Sequence, residues 1–210
     1  MAVQILFIGF FKKLWYLIDN LDTILFLKIN TVYTNNFFDS FFPWWREATT
    51  WIPLYFFLIL FTIINYKRKA FAWIAFFVVT IILSDQISSG ILKDWIGRAR
   101  PCNDLFLQFH MRLLLNRCPS SGSFTSSHAT NHFAAAMFLW ITLKPAFKNW
   151  GYLFFFWAAT ISYGQVYVGV HYPLDVLGGC MLGLLIGWAS ATFFNKKLGF
   201  PSHQIVAAEL

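Results

Sequence analysis

WWREATTWIPLYFFLILFTIINY, residues 44–66, and FAWIAFFVVTIILSDQISSGIL, residues 71–92, are separated only by the short basic turn KRKA. Each holds about the 20 mostly apolar residues that an α-helix needs to cross the hydrocarbon of a bilayer. Working outward, three further apolar runs cover residues 128–143, 150–168 and 173–194. The chain as a whole is 58% hydrophobic and 12% charged, a balance that excludes an ordinary soluble domain. The sequence therefore predicts an all-α, polytopic transmembrane helix bundle of five or six spans. Residues 1–43 are apolar but interrupted by Lys12, Lys13, Asp19, Asp22 and Lys28. They read as interfacial helices or one poorly spanning helix, leaving residues 44–210 as the transmembrane core with one long polar loop, residues 98–127.

The net charge of +7 raises the question of partners. The basic residues sit in short clusters between apolar runs, not along one polar face, so the expected partner is the membrane and its anionic lipid and not nucleic acid. No small-residue cleavage site follows the first apolar run before Lys12, so that segment is expected to be retained. Lys67, Arg68, Lys69, Lys144, Lys148, Lys196 and Lys197 fall at one set of helix ends, with only Glu209 as a nearby acid. The positive-inside rule makes that face cytoplasmic. The loop of residues 98–127 then lies on the outer face. Cys102 and Cys118 bracket it, and in an oxidising compartment they form a possible disulfide; two free thiols are the alternative.

Every group able to do acid, base or nucleophilic chemistry lies near this second face, in three clusters. In KDWIGRARP, residues 93–101, Lys93 and Arg100 stand seven apart, which on a continuous helix puts both on one side as a clamp for phosphate. A snorkelling pair at the interface is the competing explanation. In SFTSSHAT, residues 123–130, Ser126 and Ser127 precede His128 at the start of an apolar helix, where unpaired N–H groups attract an anion. N-capping by either serine is the structural alternative. His128 is placed to donate a proton to a leaving oxygen. In GQVYVGVHYPLD, residues 164–175, Pro173 suits the first turn of the last helix, with His171 just before it and Asp175 within it. That spacing lets a carboxylate hold one imidazole nitrogen and free the other for attack.

Taken together in order and spacing, the clusters resemble the type 2 phosphatidic acid phosphatase superfamily of membrane lipid phosphatases. Its patterns are Lys-x6-Arg-Pro, Pro-Ser-Gly-His and Ser-Arg-x5-His-x3-Asp. Lys93, Arg100 and Pro101 match the first, and Ser126 and His128 the second, with Thr125 and Ser127 where the family has Pro and Gly. His171 and Asp175 match the third, but Gly164 and Gln165 stand where the family has Ser and Arg.

The resemblance implies a metal-independent hydrolase without cofactor, in a bacterial inner membrane with its site facing the periplasm. It implies His171 as nucleophile through a phosphohistidine, Asp175 as its orienting carboxylate and His128 as the proton donor. Lys93, Arg100, Ser126, Ser127 and Gln165 would bind phosphate. Candidate substrates are polyprenyl diphosphate, phosphatidylglycerol phosphate, phosphatidic acid and lipid A type phosphates. The neutral Gln165 keeps a second reading open, a protein that binds or transports lipid phosphate without cleaving it. Asp85, inside an apolar run, is expected to serve as structural support within the bundle. The Gly179, Gly183 and Gly187 stripe is explained by close helix packing, with dimerisation as its other use.

Overall fold

The computed structural model describes residues 2–200, and Glu209 lies outside them. The helices are α1 (Ala2–Leu27), α2 (Asn36–Trp45), α3 (Ile52–Tyr66), α4 (Arg68–Asp85), a single turn α5 (Lys93–Ile96), α6 (Ser127–Phe147), α7 (Tyr152–Tyr167) and α8 (Pro173–Lys197). There is no strand among the described residues. Three helical stretches are long and apolar enough to cross a membrane: Ala48–Tyr66, Arg68–Phe109 and Pro173–Lys197. α6 and α7 occupy the other two expected places. α6 dilutes its apolar run with buried Thr130, His132 and Thr142, and α7 has 16 residues.

Polar and apolar residues are arranged inside out relative to a soluble protein. Phe56, Phe71, Phe156, Leu185 and Trp188 are exposed around the bundle, while Thr62, Thr80, Ser84, Ser88 and Ser162 are buried within it. In lipid, exposed apolar side chains cost nothing, whereas polar groups need partners inside the protein. Thr80 accordingly pairs with Ser190, and Trp73 donates to Thr142 at 2.8 Å. Asp85 is held by Asn131 at 3.0 Å, which gives it the supporting place expected inside the bundle.

α6 is the central helix, packed against α4, α7 and α8. Its closest neighbour is α8, and the glycine stripe is the reason. A Cβ on Gly183 would strike the Thr130 carbonyl oxygen and stand 3.0 Å from the Ala134 nitrogen. At the basic end, Lys69 donates to the Gly199 carbonyl and Tyr66 stacks on Phe200. α1 is one helix of 26 residues leaning on α8. The short α2 follows it and packs on α7 through Phe42 against Tyr167 and a Trp45–Thr160 hydrogen bond of 3.0 Å.

Lys93 and Arg100 do not share a continuous helix. Gly97, at φ +62°, ends α5 in the left-handed region that favours glycine. Arg100 is extended because it precedes proline. The clamp expected from helical periodicity is built from one helical turn and one extended stretch of chain.

The α6–α8 approach yields a direct expectation. Gly183→Leu should destabilise the protein in detergent by at least about 1–3 kcal/mol through overpacking, read as a lowered midpoint of thermal unfolding. Leu182→Ala, one position away in sequence, serves as the comparison.

Candidate active site

The site is assembled at the helix ends opposite the basic face. Asp175, in the first turn of α8, is fully buried. Its Oδ2 accepts from the Tyr172 backbone at 2.8 Å and from Ser123 Oγ at 2.5 Å, and its Oδ1 accepts from Arg98 Nη1 at 2.8 Å. Its main-chain carbonyl accepts from Ser126 N at 3.0 Å, which joins the starts of α6 and α8. Arg98 is held in turn by Asp19 at 2.9 Å and Asp22 at 2.7 Å from α1, and its guanidinium covers the Tyr172 ring at 4.1 Å. Asp22 also accepts from Leu174 N at 2.8 Å, so α1 ties down the first turn of α8.

His171 lies between this carboxylate and Arg100. Its Nδ1 is 3.6 Å from Asp175 Oδ2, longer than a direct hydrogen bond, with Ser123 Oγ at 3.4 Å beside it. On the other side Arg100 Nη1 donates to Nε2 at 3.0 Å, which assigns the ring proton to Nδ1, facing Ser123 and Asp175. Arg100 is fixed by the carbonyls of Ser121 at 2.9 Å and Val170 at 3.0 Å and by Ser121 Oγ at 3.1 Å. Burial pushes the His171 imidazole down to about 4, helped by the Arg100 and Lys93 charges and opposed by Asp175. At neutral pH the ring is uncharged and its Nε2 carries a lone pair.

Lys93 is buried and shares this electrostatic environment with Arg100, Asp85 and Asp175. The loop of residues 121–123 presses on it, since a Cβ on Gly122 would stand 2.8 Å from the Lys93 carbonyl oxygen. His128, half-buried in the first turn of α6, senses the charges of Arg46, His132, His171 and Lys93. Ser126 occupies the N-cap position of α6 but its side chain caps nothing; its Oγ is buried with no hydrogen-bond partner. Ser127 turns its hydroxyl to Ser89 at 2.7 Å. Gln165 accepts from Arg46 Nε at 3.2 Å, while its buried Nε2 has no partner.

The structure thus brings Lys93, Arg100, Ser126, His128, Gln165, His171 and Asp175 to one end of the bundle. It joins Cys102 to Cys118, with 5.8 Å between Cα atoms, across the loop that carries Arg112 and Arg117. Among the described residues no three His, Cys, Asp or Glu side chains are grouped as metal ligands would be. Four supporting residues escape the motif reading: Arg98, Ser123, Asp19 and Asp22. Asp19 and Asp22 carry a usable signal, since carboxylates in an apolar helix need a cation, but sequence does not name Arg98 as that cation.

A helical membrane bundle that gathers buried Lys93 and Arg100 beside the His128 and His171 imidazoles offers groups able to hold a phosphate. Comparison with known proteins makes the assignment specific. Residues 72–198 match the model of the PAP2 superfamily, and the chain belongs to that family. It is 30% identical over 174 residues to a lipid A 4'-phosphatase of Bacteroides thetaiotaomicron, covering 81% of this chain and 76% of the relative. It is 27% identical over 172 residues to an undecaprenyl-diphosphatase of Sulfolobus acidocaldarius, covering 81% and 76%. The crystal structure of Aquifex aeolicus LpxE superposes with a TM-score of 0.59 at 26% identity, covering 82% of this chain and 95% of the other. The chain is an integral membrane protein and an enzyme of the lipid phosphatase class.

The disulfide anchors the loop that supports Arg100. Replacing Cys102 and Cys118 together by Ser should lower stability by about 3 kcal/mol, the loop-closure value for a bridge of this span. Thermal unfolding of the double variant beside the oxidised parent measures it.

Proposed function

We propose that this protein releases phosphate from a membrane lipid phosphate or diphosphate at the outer, periplasmic face of a bacterial inner membrane. The reaction proceeds through a phosphohistidine on His171. The observation that carries this reading is the placement of the His171 ring, with Arg100 on its Nε2 and Ser123 and Asp175 behind its Nδ1. A transferred phosphoryl group needs an in-line nucleophile, neutralising cations and a proton for the leaving oxygen.

In the first step the Nε2 lone pair attacks phosphorus as the bond to the lipid oxygen breaks. Arg100 exchanges its contact with the ring for a phosphoryl oxygen. Lys93, Ser126 Oγ and the N–H groups at the start of α6 hold the remaining oxygens as charge builds. His128 takes up a proton as the anionic headgroup binds and offsets the cations around the ring, and gives that proton to the departing lipid oxygen. Ser123 and Asp175 hold the Nδ1 proton and stabilise the charge that forms on the ring, with Arg98 keeping the carboxylate in place. In the second step the now neutral His128 takes a proton from water, whose oxygen attacks the phosphohistidine and regenerates free His171 with inorganic phosphate. These roles use only groups of the chain itself, so chelators should leave turnover unchanged.

The named relatives support the substrate range without choosing within it, because one acts on lipid A and another on undecaprenyl diphosphate. The disulfide supports an oxidising compartment for the loop, and therefore the periplasmic side. The basic ends of the bundle support the opposite, cytoplasmic assignment for the other face.

His171→Ala should abolish phosphate release from a panel of lipid A, polyprenyl diphosphate, phosphatidylglycerol phosphate and phosphatidic acid. Turnover by this variant at the parent rate would remove His171 as nucleophile. The pH profile follows from the depressed imidazole. Protonation consumes the lone pair, so the fraction of active nucleophile stays high down to about pH 5 and falls as pH passes through about 4. A kcat/KM profile with chelator present checks both expectations. Bound lipid phosphate that is never cleaved would favour the binding or transport reading.

A further inference from the structure

Two positions of the third motif, Gly164 and Gln165, depart from the family pattern, and both face the same element. A Cβ on Gly164 would stand 3.1 Å from the Phe42 ring, so glycine lets α2 lie close against α7. Phe42 is packed there between Tyr163 and Tyr167, at ring separations of 5.4 and 4.8 Å. Arg46 follows α2 directly, its N–H bonded to the Phe42 carbonyl at 3.2 Å. The close contact at Gly164 therefore delivers Arg46 to Gln165, one residue further along α7. Gln165 then aims the guanidinium by accepting from its Nε at 3.2 Å.

Arg46 is buried, and the carboxylate it meets is Glu47, whose side chain is 54% exposed and bonded through Nη1 at 2.9 Å. Its charge also reaches His128 and Arg100. A buried guanidinium whose charge reaches a second guanidinium and an imidazole is unfavourable unless an anion joins them. Two buried polar atoms, Gln165 Nε2 beside Arg46 and Ser126 Oγ at the start of α6, have no hydrogen-bond partner, and both are among the residues expected to bind phosphate. Arg46 also lines a cavity of about 660 Å³ together with Arg117 and Ser121. Ser121 is the residue that holds Arg100, so this cavity adjoins the site from the outer side.

We infer that Arg46 binds a phosphoryl oxygen of the substrate and supplies, from α2, the cation that the neutral Gln165 does not. Gly164, Gln165 and Arg46 then form one unit: the glycine admits α2, the amide orients the fork, and the fork carries the charge. The inference rests on the proposed phosphatase reading for its substrate, but the chemistry it names is phosphate binding as such. A planar fork can hold two oxygens where an ammonium holds one point, so a lysine in place of Arg46 would not be equivalent.

The test uses the full chain in detergent, with inorganic phosphate affinity and lipid phosphate kcat/KM both measured. Arg46→Gln should weaken phosphate binding by roughly 10- to 100-fold, the range for one charge-assisted contact, and lower kcat/KM at least as much. Arg46→Lys should fall between the two. Combining Arg46→Gln with Gln165→Arg should recover at least tenfold of the loss, because the charge returns from α7. Phosphate affinity within twofold of the parent in Arg46→Gln overturns the inference. If that variant does not fold, Arg46→Lys decides: affinity within twofold of the parent overturns the inference, because an ammonium does not reproduce the two-oxygen fork. A parent protein that binds phosphate but cleaves no lipid phosphate refutes the hydrolytic reading alone, and the affinities still decide Arg46.

Discussion

The buried Asp175 carboxylate is the constraint around which the rest is arranged. A charge at the end of a membrane helix, with no solvent access, is tolerated only when cations and hydrogen bonds surround it. Meeting that demand draws in Arg98 from the loop after α5, Ser123 from the loop before α6 and the turn at Tyr172. Arg98 in turn needs further carboxylates, and α1 provides Asp19 and Asp22. The N-terminal helix, outside the family match, is thereby tied to the site through a chain of ion pairs.

Burial of the bundle follows different physics from burial of the site. Between helices in lipid there is little hydrophobic gain, so close contact and internal hydrogen bonds hold α6 against α8 and α4. Glycine on α8 and small residues such as Ala134 and Thr130 on α6 permit that contact. The rigid α6–α8 pair then carries Ser126, His128 and Asp175 on adjoining helix ends. Tight packing in the apolar part sets the spacing of the polar part, which is why a lesion at Gly183 bears on a site some turns away.

Much of this was legible in the sequence where signals are local. The apolar runs located α3, α4, α6, α7 and α8, and Pro173 fixed the start of α8. The pairing of Cys102 with Cys118 was one of two alternatives and is the one formed. Local periodicity misplaced the stretch between Lys93 and Arg100, because a left-handed Gly97 outweighs helical spacing. Non-local partners were beyond reach. Arg98 finds Asp22 across 76 residues and Arg46 finds Gln165 across 119, and neither motif contains the partner. The substitution at Gln165 read as a lost charge because its replacement comes from a different helix.

The central claim is a covalent bond between phosphorus and His171 Nε2. Rapid quenching of the enzyme during turnover of a phosphate-labelled lipid, followed by mass spectrometry of the peptides, observes that bond directly. The account predicts one phosphoryl group on the peptide carrying His171, stable to base and lost in acid as a phosphoramidate should be. Label on a different residue, or turnover with no covalent phosphate at any time point, would contradict it.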